Sequence, residues 1–275
     1  MIKTEVLFPA TAQELLQALK DEPETLIVAG GTEYAGRQSD RKLSFPPRVA
    51  SIAKIPELRK TVKTEQFLET GACTTLTGLL SLYPSIPPLL AETLRRIGNP
   101  ALRNIATIGG NLFCSERFQD LWPALACMDA QIEVRTFTKS YWLNISHLAG
   151  KDSRPDIPKG VLLSRVRIPI QQFEFVFARK IGYGTHPSSD TAMFVCAANL
   201  ERNRIDNFKL VFSGEKAFRS KDTELSLTGR HFPLSEREGQ ALYEEYMAKF
   251  DSLDFFDRRV FSSMLEETIS RIVER

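Results

Sequence analysis

Apolar residues near the start of the chain recur at two different spacings, which predict a small unit of helix and strands. Thr11-Ala-Gln-Glu14 has the pattern of a capping box, and three leucines with helical spacing follow it. The short apolar run at residues 26–29 and the segment at 48–52 are typical of strands. Residues 1 to about 55 are therefore predicted to form one α/β lobe.

The chain from residue 56 to about 170 again mixes helical and strand patterns. Pro87-Pro88 predicts the first turn of a helix that runs to residue 96, and Gly98-Asn99-Pro100 ends it. Further helices are predicted at residues 76–82 and 121–128, and strands at 67–75, 131–137 and 160–168. We expect these elements to form a second lobe, so that residues 1–170 make one two-lobed domain.

Residues 171–275 have a different pattern, in which strands come first and helices follow. Apolar and aromatic runs predict strands at 173–181, 192–200 and 208–212, with a turn at Arg202-Asn203-Arg204. Ser235-Glu-Arg-Glu238 is a second capping box, and an amphipathic helix is predicted at 255–273. Strands followed by helices predict a separate α+β domain.

The composition is that of an ordinary globular protein and narrows the choice of partners. Of the 275 residues, 43% are hydrophobic and 25% are charged, and the formal net charge is +2. Lysines and arginines are scattered among the acids, so nucleic acid is not an expected partner. The sequence shows neither a signal-peptide pattern nor a run of transmembrane length, and we expect a cytoplasmic protein that does not bind a membrane.

The cysteines and histidines do not suggest a metal centre. Cys73, Cys114, Cys127 and Cys196 lie far apart without a Cys-x-x-Cys pair, and we predict small buried thiols rather than disulfides or metal ligands. The three histidines have no cysteine or carboxylate at ligand spacing and are interpreted as surface or loop residues.

Common catalytic and nucleotide-binding motifs are missing from the sequence. Gly182-Tyr-Gly184 is followed by Pro187 where G-x-G-x-x-G requires a third glycine, and no Walker motif or G-x-S-x-G elbow occurs. We therefore predict no catalytic side chain, as is expected when a bound cofactor does the chemistry.

Two glycine pairs, Gly30-Gly31 and Gly109-Gly110, are the strongest candidates for a binding site. Each follows an apolar or small-residue stretch and precedes a hydrogen-bonding side chain, Thr32 or Asn111. Glycine permits positive φ and close backbone approach, and successive N–H groups in such a turn form a concave nest that attracts anions. Two nests from distant parts of the chain could close on a diphosphate from both sides.

The polar residues of these segments also have purely structural interpretations. Thr32 and Thr107 could end strands, and Asn111 could satisfy its own turn. Spacing favours Asp120 as the N-cap of the helix at 121–128, and Lys180 as a solvated charge at a strand end.

Four segments in a fixed order resemble a known family. They are Ile27-Val-Ala-Gly-Gly-Thr-Glu33, Gly71-Ala-Cys-Thr-Thr-Leu76, Thr107-Ile-Gly-Gly-Asn-Leu112 and Asp120-Leu-Trp-Pro-Ala-Leu-Ala-Cys-Met-Asp-Ala130. Together they are similar to the FAD-binding medium subunit of molybdenum hydroxylases, the xanthine dehydrogenase and carbon monoxide dehydrogenase group. Lys180, Asp190-Thr-Ala192 and Phe212-Ser-Gly214 also fit, so the resemblance spans nearly the whole chain.

The resemblance implies an α+β fold with a two-lobed FAD-binding domain of the vanillyl-alcohol-oxidase (PCMH-like) type and a small α+β C-terminal domain. Backbone groups of the first glycine segment would hold the pyrophosphate, and the second segment would close the other side. Asp120 would bond to cofactor hydroxyls, Leu162 would contact a ring system or adenine, and Lys180 would lie near the cofactor. The cofactor-binding residues implied are Ile27, Val28, Ala29, Gly30, Gly31, Thr32, Glu33, Tyr34, Ala106, Thr107, Gly110, Asn111, Phe113, Asp120, Leu162 and Lys180.

Three places depart from the family pattern. Arg117 replaces a proline, Tyr34 stands where an aliphatic residue is common, and Gly182-Tyr-Gly184 replaces the usual downstream arginine. These departures concern the redox tuning of the flavin and its electron acceptor more than the binding of FAD itself.

The function that the resemblance implies is electron transfer in a heterotrimer. The chain would take electrons from a 2Fe-2S small subunit and pass them through FAD to NAD or another acceptor, while a molybdenum-cofactor large subunit hydroxylates the substrate. Two alternatives are a non-catalytic scaffold paralogue and a stand-alone flavin oxidoreductase. Phe255, Phe256 and Phe261 could serve a partner interface, although packing within their own domain is the favoured interpretation.

Overall fold

A computed structural model of the protein describes residues 4–36, 45–114, 119–182, 191–250 and 254–274. The strands of this part of the chain are β1 (Glu5–Leu7), β2 (Leu26–Val28), β3 (Arg48–Ser51), β4 (Thr61–Lys63), β5 (Phe67–Gly71), β6 (Gln131–Arg135), β7 (Ser140–Asn144), β8 (Leu162–Pro169), β9 (Phe175–Ile181), β10 (Ala192–Glu201), β11 (Arg204–Ser213) and β12 (Ala217–Phe218). The helices are α1 (Ala12–Asp21), α2 (Thr32–Gly36), α3 (Leu76–Leu80), α4 (Pro88–Arg96), α5 (Pro100–Arg103), α6 (Ile108–Leu112), α7 (Leu121–Cys127), α8 (Lys221–Ser226), α9 (Glu236–Lys249) and α10 (Phe255–Val273), with 3-10 helices at Pro56–Arg59 and Ile145–Leu148.

The first sheet is parallel and has the strand order β1-β3-β2. Helix α1 covers it with Leu15, Leu16 and Leu19, all of which are buried, and each contributes about 1.5–3 kcal/mol through removal of its side chain from water. The same core includes Cys73 and Leu162, which belong to the region of the second sheet. The first lobe is therefore joined to the second through a shared core.

The second sheet is antiparallel, with the strand order β4-β5-β8-β6-β7. Its inward residues, among them Ile132 and Val166, pack against helices α3, α4, α6 and α7. Side chains alternate between the faces of a strand, so Glu133 and Arg165 lie on the opposite face. Hydrogen bonds from Arg165 lower the pKa of Glu133 to about 2, with smaller effects from hydroxyl groups nearby.

The third sheet is antiparallel, has the order β12-β11-β10-β9, and is buried on both faces. Val195 and Ala197 of β10 pack into the core that contains α7, whereas Phe194 and Cys196 pack toward α9 and α10. This two-sided burial explains why β10 is a nearly continuous apolar run. Phe261 of α10 stacks on Phe250 with a centroid separation of 4.1 Å.

Buried charges join α7 to the third sheet. Arg219 donates through Nη1 to the carbonyl oxygen of Ala126 at 2.8 Å and to Oδ1 of Asp129 at 3.0 Å, and through Nε to Oε1 of Glu224 at 2.9 Å. Nζ of Lys209 donates to Oδ2 of Asp129 at 2.6 Å. Burial raises the pKa of Glu224, and the hydrogen bonds from Arg219 oppose that rise.

Asp257 is a second buried charge, and it holds the start of α10 against the turn between β11 and β12. Its Oδ2 accepts the N–H of Glu215 at 2.8 Å, and its Oδ1 is buried without a hydrogen-bond partner within the described residues. The carboxylate lies directly over Gly214, where any Cβ atom would overlap it. Burial raises the pKa of Asp257 to about 6, and the nearby acids Asp254 and Glu215 add to the rise while backbone N–H groups oppose it.

Most of the predicted elements are confirmed. The helix predicted at 255–273 is present with those bounds, the Ser235 capping box is formed, and Arg202 and Asn203 both have positive φ in the hairpin turn between β10 and β11. The short strands β1, β4, β7 and β12 were not predicted, because two to five residues at a sheet edge leave little periodic signal. The mixed α/β architecture is confirmed, whereas the division of the chain at residue 170 stays a prediction.

Packing within their own domain, the interpretation favoured for the C-terminal phenylalanines, is confirmed for Phe261 and Phe256. Both lie in or against the core of the third sheet. Phe255 is 77% exposed. Among the described residues, no helix has the length and apolar character needed to cross a bilayer.

We expect the Arg219→Met substitution to lower the free energy of unfolding by roughly 3–5 kcal/mol, because it leaves the buried carboxylate of Glu224 without the cation it pairs with. Urea unfolding followed by circular dichroism measures this change. The matched control is Arg96→Met, which breaks the exposed pair between Arg96 and Glu92 (2.7 Å) and should change stability by no more than about 1 kcal/mol. Equal losses in the two variants would contradict the structural role of the buried network.

We expect the stability of the wild type, measured relative to Asp257→Asn, to fall as the pH rises from about 4 to about 6. The pKa of Asp257 is raised in the folded state, so unfolding releases a proton in this window and a higher pH favours unfolding. Urea titrations across the window measure the difference. Asp222→Asn, at an exposed aspartate, should follow the wild type, and a pH-independent difference between wild type and Asp257→Asn would refute the prediction.

Candidate cofactor site

The first glycine pair lies in the loop between β2 and α2. Gly31 has a φ of +69°, in the left-handed region that favours glycine. A Cβ atom on Gly30 would overlap the backbone carbonyl of Ile105, which leads into the second glycine segment. The structure therefore brings the two predicted segments into direct backbone contact, although more than 70 residues separate them in the sequence.

The first loop presents unpaired backbone donors. Within the described part of the chain, the N–H groups of Ala29, Gly30, Gly31 and Thr32 have no hydrogen-bond partner, and the first bond of α2 runs from Ala35 to the carbonyl of Gly31 at 3.0 Å. Partly exposed N–H groups in such a turn require an acceptor from water or a ligand. Successive donors of this kind suit an anion.

The second loop presents fewer free donors than the expected second nest. Four of its N–H groups are paired within the fold: Ile108 to the Thr74 carbonyl at 3.0 Å, Gly109 to the Ala72 carbonyl at 2.8 Å, Gly110 to Oγ1 of Thr107 at 3.1 Å and Asn111 to the Thr107 carbonyl at 3.0 Å. The N–H of Thr107 has no hydrogen-bond partner within the described residues. Thr107 is the N-cap of α6 rather than a simple strand end.

The glycines of the second pair have different surroundings. A Cβ atom on Gly109 would lie 2.6 Å from Cβ and 2.8 Å from the carbonyl oxygen of Ala72, so Gly109 is required for packing. A Cβ atom on Gly110 would meet only Oγ1 of Thr107, the N-cap residue of α6, at 3.0 Å. Gly110 therefore faces an open cleft. The second loop therefore contributes a wall of the cleft that has no side chain at Gly110.

The cleft has two adjoining sections, of about 390 and 150 Å³. Both are lined by Leu26, Ile27, Ala29, Gly110 and Phe113. The smaller section contains the unpaired amides and is lined further by Val28, Gly30, Gly31, Thr32, Glu33, Tyr34, Thr107 and Cys114. The larger section is mostly apolar and contains Leu162, and its volume is within the usual range for small-molecule sites.

Four of the predicted site residues do not line these two sections: Ala106, Asn111, Asp120 and Lys180. Ala106 packs beside Gly30. Asn111 does not satisfy its own turn, because its Oδ1 accepts the N–H of Leu121 at 3.1 Å. Asp120 occupies the N-cap position of α7, as its spacing predicts, but its side chain makes no capping bond.

Lys180 is not a solvated charge at a strand end. Its Nζ lies 2.6 Å from Oδ2 of Asp120, and the two side chains are only 22% and 9% exposed, respectively. The other carboxylate oxygen of Asp120, Oδ1, has no hydrogen-bond partner within the described residues. Lys180 and Asp120 thus form an ion pair that leaves one acceptor oxygen available.

Of the three departures from the family pattern, Tyr34 has a local packing partner, and the other two lie wholly or partly outside the described residues. The Tyr34 ring stacks on Phe45 with a centroid separation of 5.1 Å and an interplanar angle of 11°, so the aromatic residue has a partner of its own. Arg117, Tyr183, Gly184 and Asp190 lie outside the described residues.

The wall formed by residues 157–163 was largely unforeseen, since only Leu162 of this segment was predicted as a site residue. Ile157, Pro158, Gly160 and Val161 also line the larger section. Gly160 has a φ of +69°, and the Pro-Lys-Gly sequence before β8 was a usable signal for a tight turn at the site.

The four thiols are buried, as predicted. Burial raises the pKa of Cys73 to about 11 and that of Cys127 to about 12, so both thiols are protonated at neutral pH. Sγ of Cys114 accepts a hydrogen bond from the side-chain Nε2 of Gln119 at 3.3 Å. It also lies 3.7 Å from Oε1 of Glu33, at the edge of the smaller section of the cleft.

Comparison with known families covers the whole segment that lines this cleft. The family described as the FAD binding domain in molybdopterin dehydrogenase matches residues 2–171. The chain belongs to this family. This match confirms the resemblance predicted from the sequence. The chain is a component of an oxidoreductase, and its cofactor is FAD.

Relatives of this FAD-binding chain include both subunits of similar length and parts of much longer proteins. It is 25% identical over 224 residues to the glyceraldehyde dehydrogenase medium chain of Sulfolobus acidocaldarius, covering 79% of this chain and 78% of that protein. It is 23% identical over 243 residues to the xanthine dehydrogenase FAD-binding subunit of Escherichia coli O157:H7, covering 86% and 83%. It is 32% identical over 184 residues to aldehyde oxidase 2 of Cavia porcellus, covering 62% of this chain but only 14% of that protein.

Solved structures share the fold. A chain of quinoline 2-oxidoreductase from Pseudomonas putida 86 matches with a TM-score of 0.82 at 19% identity, covering 98% of this chain and 95% of that one. A chain of carbon monoxide dehydrogenase from Hydrogenophaga pseudoflava matches with a TM-score of 0.83 at 18% identity, covering 99% and 96%.

The residues of this FAD-binding chain fit a dinucleotide. The unpaired amides at residues 29–32 suit a diphosphate, the wall at Gly110 has space that a side chain would fill, and the apolar section with Leu162 suits a planar ring. The backbone N–H groups of this loop suit a diphosphate because a hydrogen bond to a charged acceptor is stronger than one between two neutral groups.

We expect Gly110→Ala to weaken FAD binding about tenfold or more and Gly110→Val to abolish flavin retention, because the added carbons enter the cleft. Flavin absorbance after gel filtration, together with titration of the apoprotein with FAD, measures retention and affinity. The melting temperature of Gly110→Ala should stay close to that of the wild type.

Gly109→Ala is the matched control for these variants. The added methyl group collides with Ala72, so we expect this variant to lose roughly 1–3 kcal/mol of stability by overpacking. Full flavin occupancy in Gly110→Val would show that the glycine wall does not contact the cofactor.

Proposed function

We propose that this chain is the FAD-binding electron-transfer subunit of a molybdenum hydroxylase complex of the xanthine dehydrogenase and carbon monoxide dehydrogenase type. In this proposal it takes electrons from iron–sulfur clusters on a partner and passes them through FAD to NAD or another soluble acceptor. The observation that carries the proposal is the cleft itself, in which unpaired amides face a side-chain-free wall inside the region that matches the family.

Each part of the cleft has a role in the proposal. The N–H groups of residues 29–32 hold the diphosphate, Gly110 and Phe113 close the opposite side, and Leu162 lies against a ring system. Oδ1 of Asp120 accepts a hydrogen bond from a cofactor hydroxyl. Bound FAD supplies the redox chemistry, and the protein binds and orients it.

The partners in the proposal are a molybdenum-cofactor large subunit and a 2Fe-2S small subunit, which together with this chain form a cytoplasmic heterotrimer. Substrate hydroxylation takes place on the large subunit. Two relatives that match this chain over about four fifths of both lengths are named as a medium chain and an FAD-binding subunit, which supports a subunit role.

We assign FAD to a domain of residues 1–170 of the vanillyl-alcohol-oxidase type, with lobes at about 1–55 and 56–170, and treat residues 171–275 as the C-terminal domain. The contact between Gly30 and Ile105 supports this assignment, because the two lobes meet at the glycine loops that border the cleft.

We expect the purified chain to show a flavin absorption spectrum and to release FAD on heating, as identified by chromatography. In the complex with its partners, the FAD should be reduced after the iron–sulfur clusters and reoxidised by the physiological acceptor, which stopped-flow absorbance follows. A chain that stays colourless with FAD, alone and after co-expression with its partners, would support the scaffold alternative. Reduction of the FAD by a small substrate without any partner would support the stand-alone oxidoreductase.

A further inference from the structure

A cavity of about 480 Å³ lies outside the cofactor cleft and shares no lining residue with either section of that cleft. Four parts of the chain form it: helix α7, residues 146–153, residues 217–222 and the end of α9. Its volume is within the usual range for sites that bind small molecules. Two of the four parts follow residue 171, where the match to the FAD-binding family ends, so the cavity is not part of the cofactor site described above.

Two aromatic rings of the cavity lining are fixed by the surrounding fold. Nε1 of Trp122 donates to the carbonyl oxygen of Ile145 at 3.3 Å, and Trp122 is only 3% exposed. The Phe218 ring packs against the rings of Phe250 and Phe261, with centroid separations of 5.1 and 5.2 Å. Because these contacts already hold both rings, the apolar part of the cavity does not have to be ordered when a ligand binds.

The charged side chains that line the cavity are mainly cations. Arg219, Lys221 and Lys249 are all in the lining, and Asp222 is the single carboxylate there. The carboxylates that hold Arg219 do not themselves line the cavity. An anionic ligand therefore suits this lining better than a cationic one.

Both lysines of the lining have donors available for a ligand. The side chain of Lys221 is exposed and has no ion pair or hydrogen bond within the described residues. Nζ of Lys249 donates to Oγ1 of Thr223 and to Oε1 of Glu245, both at 2.8 Å, which leaves one of its three N–H donors unused. An anion could bind to these donors without breaking a contact of the fold.

Ser153 adds an unused hydroxyl to the lining. Its φ of +61° lies in the left-handed region that favours glycine. Its N–H donates to the Gly150 carbonyl at 2.9 Å and its carbonyl accepts the N–H of Ala217 at 2.8 Å, so bonds on both sides maintain this conformation. The hydroxyl has no hydrogen-bond partner among the residues that the structure describes. Strained residues of this kind are concentrated at ligand sites.

We propose that this cavity is a second ligand site, separate from the FAD cleft, and that it binds a small aromatic anion. The ring of the ligand lies against Phe218 and Trp122, since offset aromatic pairs are favourable beyond the area they bury. Its carboxylate or phosphate group accepts hydrogen bonds from Lys221, Lys249 and Ser153, and such bonds to a charged acceptor are strong. The inference does not depend on the proposed electron transfer, because the two sites have no residue in common.

The test is isothermal titration calorimetry of the full chain, saturated with FAD, using phenyl phosphate and benzoate as probes. Bound FAD fills the cofactor cleft, so neither probe can bind there. We expect one saturable site per chain with a Kd of about 1 mM or lower for at least one probe. The probe that binds more tightly identifies the head group as phosphate or carboxylate, and inorganic phosphate, which has no ring, should bind more weakly than phenyl phosphate.

Two variants test the assigned contacts with the head group. Lys221→Met removes a cation without breaking a contact of the fold, and it should weaken binding of the tighter probe about fivefold. Ser153→Gly removes the free hydroxyl and should weaken binding about threefold. The melting temperature of Ser153→Gly should not fall, because glycine adopts positive φ without strain, and this separates a lost ligand contact from a damaged fold.

Each variant has a matched control outside the cavity. Lys63→Met makes the same change of charge at an exposed lysine of β4, and Arg202→Gly makes the same backbone change at a residue with a φ of +50° in the turn between β10 and β11. Both controls should bind the probe as the wild type does.

Four results would overturn the inference. They are the absence of saturable binding by both probes, equal affinity for inorganic phosphate and phenyl phosphate, unchanged binding in either Lys221→Met or Ser153→Gly, and a loss in Lys63→Met equal to that in Lys221→Met. The second result would show that the rings take no part in binding. The third would place the probe elsewhere on the protein, and the fourth would show a general attraction between charges.

Discussion

The cleft depends on the close approach of Gly30 to the backbone of Ile105. This contact brings two segments together that are far apart in the sequence, and any side chain at position 30 would separate them. Gly109 makes a second approach of the same kind, against Ala72. With both contacts in place, the amides of the first loop lie across a narrow space from the wall of the second.

Each glycine pair combines two different requirements. The first glycine of each pair, Gly30 or Gly109, allows close packing of backbone against backbone. The second glycine shapes the cleft, since Gly31 has the positive φ that turns the chain into α2 and Gly110 leaves the wall free of side chains. A pair is therefore needed at both places, although only the first loop has several consecutive unpaired donors among the described residues.

This arrangement has consequences for how a dinucleotide is held. Lys159 lines the described part of the cleft, and its Nζ forms an ion pair with Oε1 of Glu24 at 2.6 Å. Its positive charge is therefore already paired within the fold. In the proposed site, the negative charge of a diphosphate is therefore balanced mainly by the oriented N–H groups of residues 29–32. Such groups are fixed by the fold and need no reorganisation when an anion arrives.

Sequence patterns predicted the elements well where they extend over many residues, as the helical spacing does in α10 and the continuous apolar run does in β10. They also identified the glycine pairs, because glycine is the residue that close approach and positive φ require. They did not predict which partner each polar side chain would take. Asp120 has the spacing of an N-cap, yet Asn111 makes the cap from ten residues away, and that choice depends on the packing of α6 against α7.

The departure from the family pattern at Tyr34 changes a side chain and leaves the backbone donors of the first loop in place. Tyr34 lies at the smaller section, where its ring stacks on Phe45 while the amides of residues 29–32 remain unpaired. A substitution at such a position changes the polarity and shape around a cofactor without moving the donors that hold it. The scaffold alternative gives no physical reason for a glycine at position 110, whose missing side chain serves the cleft and not the packing of the fold.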